Sequence, residues 1–207
     1  CEIFDTWYTT GLAGSGSHDW GVAELFVPEE RCFDFMAKPR DPAPLYAFPW
    51  FVLANSPGVP LGIARAAIDG LCELAAQKTV PPRGTLLRDD VFVQAAVARA
   101  EAALGSARAY LFEALGDLWA TVAAGREPGL DLRARFRLAT IHAYRSSRDA
   151  VQLMYEAGGS SALYASSPLD RQLRDITTVT QHALVNARGY GEVGRALLGL
   201  DPDSLLL

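Results

Sequence analysis

The stretch GLAGSGSHDWGVAELFVPEER, residues 11–31, decides how the chain is read. It holds Gly11, Gly14 and Gly16, two serines and the pair His18–Asp19. Then Ala23, Leu25 and Val27 alternate with Glu24 and Phe26 before Pro28. A period of two predicts a strand, and the glycines before it predict a turn. Upstream, Ile3 and Trp7 with neighbouring Thr and Tyr residues predict a second β stretch. Residues 1–35 are therefore expected to be β. Gly14-Ser15-Gly16 leads into a strand rather than a helix, so it is not a dinucleotide fingerprint. It lacks Gly-Lys-Ser/Thr, so it is not a phosphate loop of the Walker type. His18 and Asp19 are adjacent, and successive strand side chains point oppositely, so the pair cannot form a relay.

Moving outward, residues 36–48 carry three prolines and no periodicity, and are expected to be a linker. From residue 49 the pattern turns helical. Ile63, Ala66, Ala67, Gly70, Leu71 and Leu74 share one helical face, with Pro57 and Pro60 starting or interrupting that helix. Asp89-Asp90 is expected to open a long helix to about residue 124, acidic at its N-terminus as the helix dipole favours. A third helix is expected over 131–157, ended by Gly158-Gly159. Ser166-Ser167-Pro168 is expected to cap a fourth helical region over 169–199, broken near Asn186–Gly189. The fold class is thus mainly α: an antiparallel four-helix bundle over residues 49–207, preceded by a short β segment. The helix over 91–123 is apolar on more than one face, which predicts a second burial surface, either for a homo-oligomer (a dimer or tetramer) or for packing on a missing domain.

The 207 residues carry a net charge of −5, and half are apolar. A nucleic-acid partner is not expected without a basic face. No unbroken apolar run reaches ~18 residues, so no membrane partner is expected. Three widely spaced cysteines favour a reducing, cytoplasmic setting over a disulfide or zinc framework. No Glu-x-x-His occurs on any helix, so no di-iron bundle and no metal are expected. The chain begins with Cys1 and shows no leader-like N-terminus, and is expected to be a piece of a longer protein.

Three phrases resemble one family: GSGSHDW…FVPEER, Leu153–Gly159, and LDRQLRDITTVTQH over 169–182. Together they resemble the acyl-CoA dehydrogenase superfamily, and within it the two-component monooxygenases that use reduced flavin. The resemblance covers essentially the whole chain. It implies that residues 1–35 end a middle β-domain and that residues 49–207 form the C-terminal bundle. It also implies that the rest of the enzyme precedes residue 1, so that this chain alone would be inactive.

The resemblance implies a flavin, FAD or FMN, arriving as reduced diffusible flavin from a separate reductase, and a small, possibly aromatic, substrate. Arg83 and Gln94 match an arginine and a glutamine that reach the flavin's diphosphate and adenosine end from a neighbouring subunit. A guanidinium suits a diphosphate through its permanent charge and paired donors. Gly158 and Gly159 match glycines beside the flavin, where absence of a side chain allows close approach. Ser15 and Ser17 match positions that contact flavin or substrate.

Arg174-Asp175 matches the Arg-Asp that, in the dehydrogenases, leads to a catalytic glutamate. Here no acid lies between Asp175 and Glu192, nor in residues 46–62. His182 stands in its place, as in the monooxygenase branch. With an ordinary pKa of ~6.5, a histidine can take a phenolic proton or assist protonation during oxygen activation. An acyl-CoA dehydrogenase using Glu156 or Glu192 is the alternative. A non-catalytic fragment acting in oligomer assembly is the third reading. His142, with Arg145, Arg148 and Asp149, reads as an interface or surface stripe.

Overall fold

The computed structural model describes residues 1–34, 37, 39–82, 84–185, 187–204 and 206–207. Its order is β1 (Glu2–Phe4), β2 (Asp19–Gly21), α1 (Pro44–Ala47), α2 (Gly58–Gln77), β3 (Thr79–Val80) and β4 (Thr85–Leu86). Then follow α3 (Val91–Ala123), α4 (Leu130–Gly158), α5 (Pro168–Val179) and α6 (Gly189–Leu197). Short 3-10 turns join several of them.

The two longest helices set the frame. Along α3 the buried residues are Val93, Ala96, Ala100, Leu104, Ala107, Leu111, Ala114, Leu118 and Val122. They recur every three or four residues and form one stripe. The alanines let a neighbouring backbone approach, and the larger residues fill the space between. The first half of α3 packs with the end of α4, through Val93, Ala96, Ala100, Val151 and Met154. Its second half packs with the start of α4, through Leu111, Ala114, Leu118, Phe136 and Ala139. That pairing makes α3 and α4 antiparallel. α2 and α5 complete the first cluster with Ile68, Leu71, Leu169 and Ile176. α2, α3, α4 and α5 are the bundle, and α6 packs on α4 beside a small cluster of Ala134, Val193 and Leu207.

Helix ends follow local chemistry. Asp90 caps α3 by accepting the Phe92 amide, freed by the absent preceding turn. Gly159 ends α4 at φ 57° and ψ −140°, a conformation that only glycine adopts without strain. α5 starts with Pro168 in its first turn, but Ser167 makes no side-chain cap, contrary to the expected hydroxyl cap. Pro168 fixes a helical φ and supplies the start instead.

Pro49–Gln77 contains an 18-residue window of mean hydropathy 1.2, long and apolar enough to cross a membrane by length and composition alone. It is not an unbroken apolar run, because Arg65 and Asp69 interrupt it. In this fold Ala64, Ala67, Ile68 and Leu71 are fully buried in the core. Arg65 pairs on the outer side with Asp69 and Glu101, both at 2.9 Å.

The β segment differs from expectation. β1 and β2 pair antiparallel in the register Glu2↔Gly21, Ile3↔Trp20 and Phe4↔Asp19. The glycine-rich stretch is therefore the connection between two strands. The alternating residues 23–27 form no strand, and Leu25 and Phe26 are 64% and 85% exposed. Alternation creates a strand only where a neighbouring strand supplies the hydrogen bonds, and none pairs with this run among the described residues. A further small hairpin pairs β3 with β4, in the register Thr79↔Leu86 and Val80↔Thr85. The fourth helical region is broken as expected but over a longer stretch: α5 stops after Val179 and α6 starts at Gly189, and Asn186 lies outside the described residues.

Candidate functional site

The glycine-rich connection docks on α5. The amide of Leu12 donates to Asp175 at 2.7 Å, and Arg174 donates to the Thr10 carbonyl at 2.7 Å. Gly11 between them is buried, and a Cβ there would lie 2.1 Å from the Arg174 carbonyl oxygen and 2.6 Å from Thr178 Oγ1. No other residue fits that contact. Arg174 is held in turn by Asp170, one helical turn earlier, at 2.9 Å. Arg174 and Asp175 thus join the β segment to the bundle.

His18 is structural. Its Nδ1 accepts the amides of Thr6 and Trp7, both at 3.2 Å. A nitrogen accepting N–H groups carries no proton, so the 3.4 Å approach of the same atom to Asp5 is not an ion pair. The imidazole closes the loop that leads to Gly11. Ser15 donates to the Leu12 carbonyl at 2.8 Å and lies 3.4 Å from Ser17, and both serines are exposed.

His182 follows the end of α5 and is exposed. Its Nδ1 accepts the Leu184 amide at 3.3 Å. In the neutral ring the proton then sits on Nε2, which makes that nitrogen a donor. Gln94, on the first turn of α3, is exposed and donates to the Arg88 carbonyl at 3.0 Å. Gly158 and Gly159 close α4 at the same end of the bundle, since α3 and α4 run antiparallel. There Lys78 Nζ donates to the Gly158 carbonyl at 3.1 Å. Nothing lies within 4 Å of a Cβ placed on Gly159. Arg83 lies outside the described residues.

The expected residues therefore form two groups. Gln94, Gly158 and Gly159 share one end. His182 lies beyond the opposite end of α5, a helix of 12 residues, which amounts to about 18 Å of rise. A cavity of about 1030 Å3 lies elsewhere, lined by Cys32, Phe33, Tyr46, Phe48 and Phe51 among others. None of the expected site residues lines it.

Residues 56–187 match the family described as acyl-CoA dehydrogenase, C-terminal domain. The chain belongs to this family. It is similar to the indole-3-acetate monooxygenase of Pseudomonas putida, 36% identical over 97% of this chain and 52% of that protein. It is also similar to the flavin-dependent monooxygenase oxygenase subunit HsaA of Mycobacterium tuberculosis, 29% identical over 100% of this chain and 55% of that protein. The crystal structure of 3-HSA hydroxylase from Rhodococcus sp. RHA1 superposes with a TM-score of 0.88 at 27% identity. That superposition covers 100% of this chain and 56% of the other. The chain spans about half the length of the curated relatives it matches.

Within this family the two acids of the alternative reading are engaged elsewhere. Glu156 accepts from Gln152 at 3.1 Å on the exposed side of α4. Glu192 lies 3.5 Å from the buried guanidinium of Arg137 and accepts from Ser204 at 3.0 Å. Sequence reading missed Arg137, a charged residue that is only 6% exposed. Its signal was an arginine in phase with the buried positions Ala134 and Ile141 of α4.

His142, read as an interface or surface residue, is half-buried. It contacts Ser146 at 3.3 Å and stacks edge-on against Tyr110.

Proposed function

We propose that this chain is the helical part of the oxygenase component of a flavin-dependent monooxygenase, which hydroxylates a small aromatic substrate with reduced flavin and O2. The observation that carries the reading is the lack of any acid between Asp175 and Glu192, with Glu156 and Glu192 both bonded to other side chains; by resemblance, His182 matches the place of the dehydrogenase carboxylate. The names of the similar proteins, two monooxygenases and a hydroxylase, support it.

The residues suit a flavin. Gly159 leaves open space where a side chain would stand, and its amide is bonded to the Glu156 carbonyl. The Lys78 ammonium and the Gln94 amide, each with N–H groups beyond the one given to a carbonyl, bring positive charge and donors to the same end of the bundle, as a phosphate group requires. Gly158, Gly159, Gln94 and Arg83 are the residues proposed to hold that end of FAD or FMN. The flavin, when bound, supplies the electrons and the site of oxygen activation. The Nδ1 of His182 accepts the Leu184 amide, so the neutral ring would offer Nε2–H as a proton donor to the reacting centre of a bound flavin. Ser15 and Ser17 are proposed to contact flavin or substrate from the connection between β1 and β2.

A separate reductase supplies reduced flavin in this reading. A homo-oligomer forms through the exposed apolar side of α3. The three free, exposed cysteines suit a reducing, cytoplasmic setting. The reading is tested on the protein that carries this chain, with reduced flavin, air and indole-3-acetate, the substrate named for the similar Pseudomonas putida monooxygenase. Hydroxylated product supports it. Anaerobic reduction of oxidised flavin by an acyl-CoA thioester, without hydroxylation, would overturn it.

A further inference from the structure

We infer that Arg137 is a positioning residue that fixes the ring of His182 through the backbone of Leu184. Arg137 Nη1 donates to the Leu184 carbonyl. The amide of the same residue donates to His182 Nδ1 at 3.3 Å. One residue thus links a buried cation in α4 to the imidazole beyond α5.

The guanidinium is anchored on two further sides. Its Nη2 lies 3.5 Å from Glu192 of α6, which also accepts from Ser204 in the C-terminal tail. The first residue of α6 is Gly189, where a Cβ would lie 3.0 Å from Arg137 Nη2 and 2.5 Å from Ile141. The glycine lets the start of α6 settle directly on the guanidinium. α4, α6 and the tail therefore converge on Arg137, and the α5–α6 connection is tied to them at Leu184.

The geometry has a chemical consequence. With the Leu184 amide on Nδ1, the neutral imidazole keeps its proton on Nε2. Released from Leu184, the ring would sample both tautomers. A lysine at 137 carries the charge but cannot reach two acceptors with a planar fork. It is not expected to restore the arrangement.

The inference rests on the proposed role of His182, but its test does not need flavin. The chain has three histidines, so their ring nitrogens are separable by 15N NMR. Arg137→Lys and Glu192→Ala are compared with the parent sequence, and Arg137→Ala is added if it folds. The expected result is a shift of the His182 ring nitrogens towards a mixed-tautomer pattern, with His18 and His142 unmoved. Amide exchange at Leu184 and Val185 is expected to rise about tenfold or more beyond any change shared by α2, α3 and α4. Unchanged His182 nitrogens and unchanged local exchange in folded variants would overturn the inference. Loss of hydroxylation in His182→Ala is a separate readout, so failure of the functional reading is distinguishable from failure of this one.

Discussion

The carboxylate of Asp175 accepts the amide of Leu12 at 2.7 Å across 163 residues of chain. With Arg174 on Thr10, it holds the glycine-rich connection against α5, less than two helical turns before His182. The contact is local in space and remote in sequence. It fixes where the β segment meets the bundle.

Gly11→Ala should break that junction. The new methyl would meet backbone at 2.1 Å, where nothing flexible can yield. A loss of about 1–3 kcal/mol is expected from overpacking. Urea unfolding measures it, and amide exchange over residues 5–18 should rise at the same time. The exposed Gly14, with open space around it, should accept alanine with a far smaller change.

Asp175→Ala should cost about 1–3 kcal/mol, because it leaves the Leu12 amide without its charged acceptor. Asp175→Asn keeps an acceptor oxygen and should cost less. Equal losses for the two variants, read by the same unfolding curves, would contradict the assigned bond.

Much of the bundle was legible in the sequence because helical periodicity is a local property. The α3 stripe from Val93 to Val122 and the Asp90 cap both lie within windows that one helix defines. The β segment was less legible. Residues 23–27 alternate as a strand should, yet their structure depends on a partner strand and not on their own pattern. The candidate site residues were picked out only through resemblance. His182 and Gly158 carry no local signal that separates ligand contact from an ordinary helix end. Arg137 showed only its phase with the buried positions of α4; its contacts were hidden because its partners, Leu184 and Glu192, lie 47 and 55 positions away in the numbering.

Core packing gives a further expectation. Leu118 is fully buried beside Phe136 and Ala139 in the second cluster. Leu118→Ala should destabilise by about 2–5 kcal/mol, through lost transfer energy and the cavity left behind. Thermal or urea unfolding measures the change.

Alkaline pH should expose a buried phenol. Tyr144 is 4% exposed and donates to the Ser56 carbonyl at 3.1 Å. Burial pushes its pKa up, above the ordinary value of about 10. The unfolded chain therefore loses that proton first. Stability is full below about pH 10 and falls as pH rises towards the folded value. Tyr144→Phe should flatten this alkaline limb while losing about 1 kcal/mol at neutral pH. Unfolding curves from pH 8 to 11 check both effects, with Tyr190, whose pKa burial also raises, adding to the same limb.

The outer side of α3 should carry self-association. Phe112 and Trp119 stand two turns apart, 55% and 44% exposed. Phe112→Glu should lower the mass seen by light scattering without lowering unfolding stability. A parent protein that is already monomeric at working concentration would contradict the proposed oligomer.

In the proposed function, His182 serves oxygen chemistry at a flavin. The most direct measurement supplies reduced flavin, O2 and an aromatic substrate to the protein carrying this chain, and counts hydroxylated product against hydrogen peroxide released. In His182→Ala, product should fall by about 10²-fold or more, with flavin binding retained and oxygen still consumed to peroxide. Product yield equal to that of the parent protein would contradict the account.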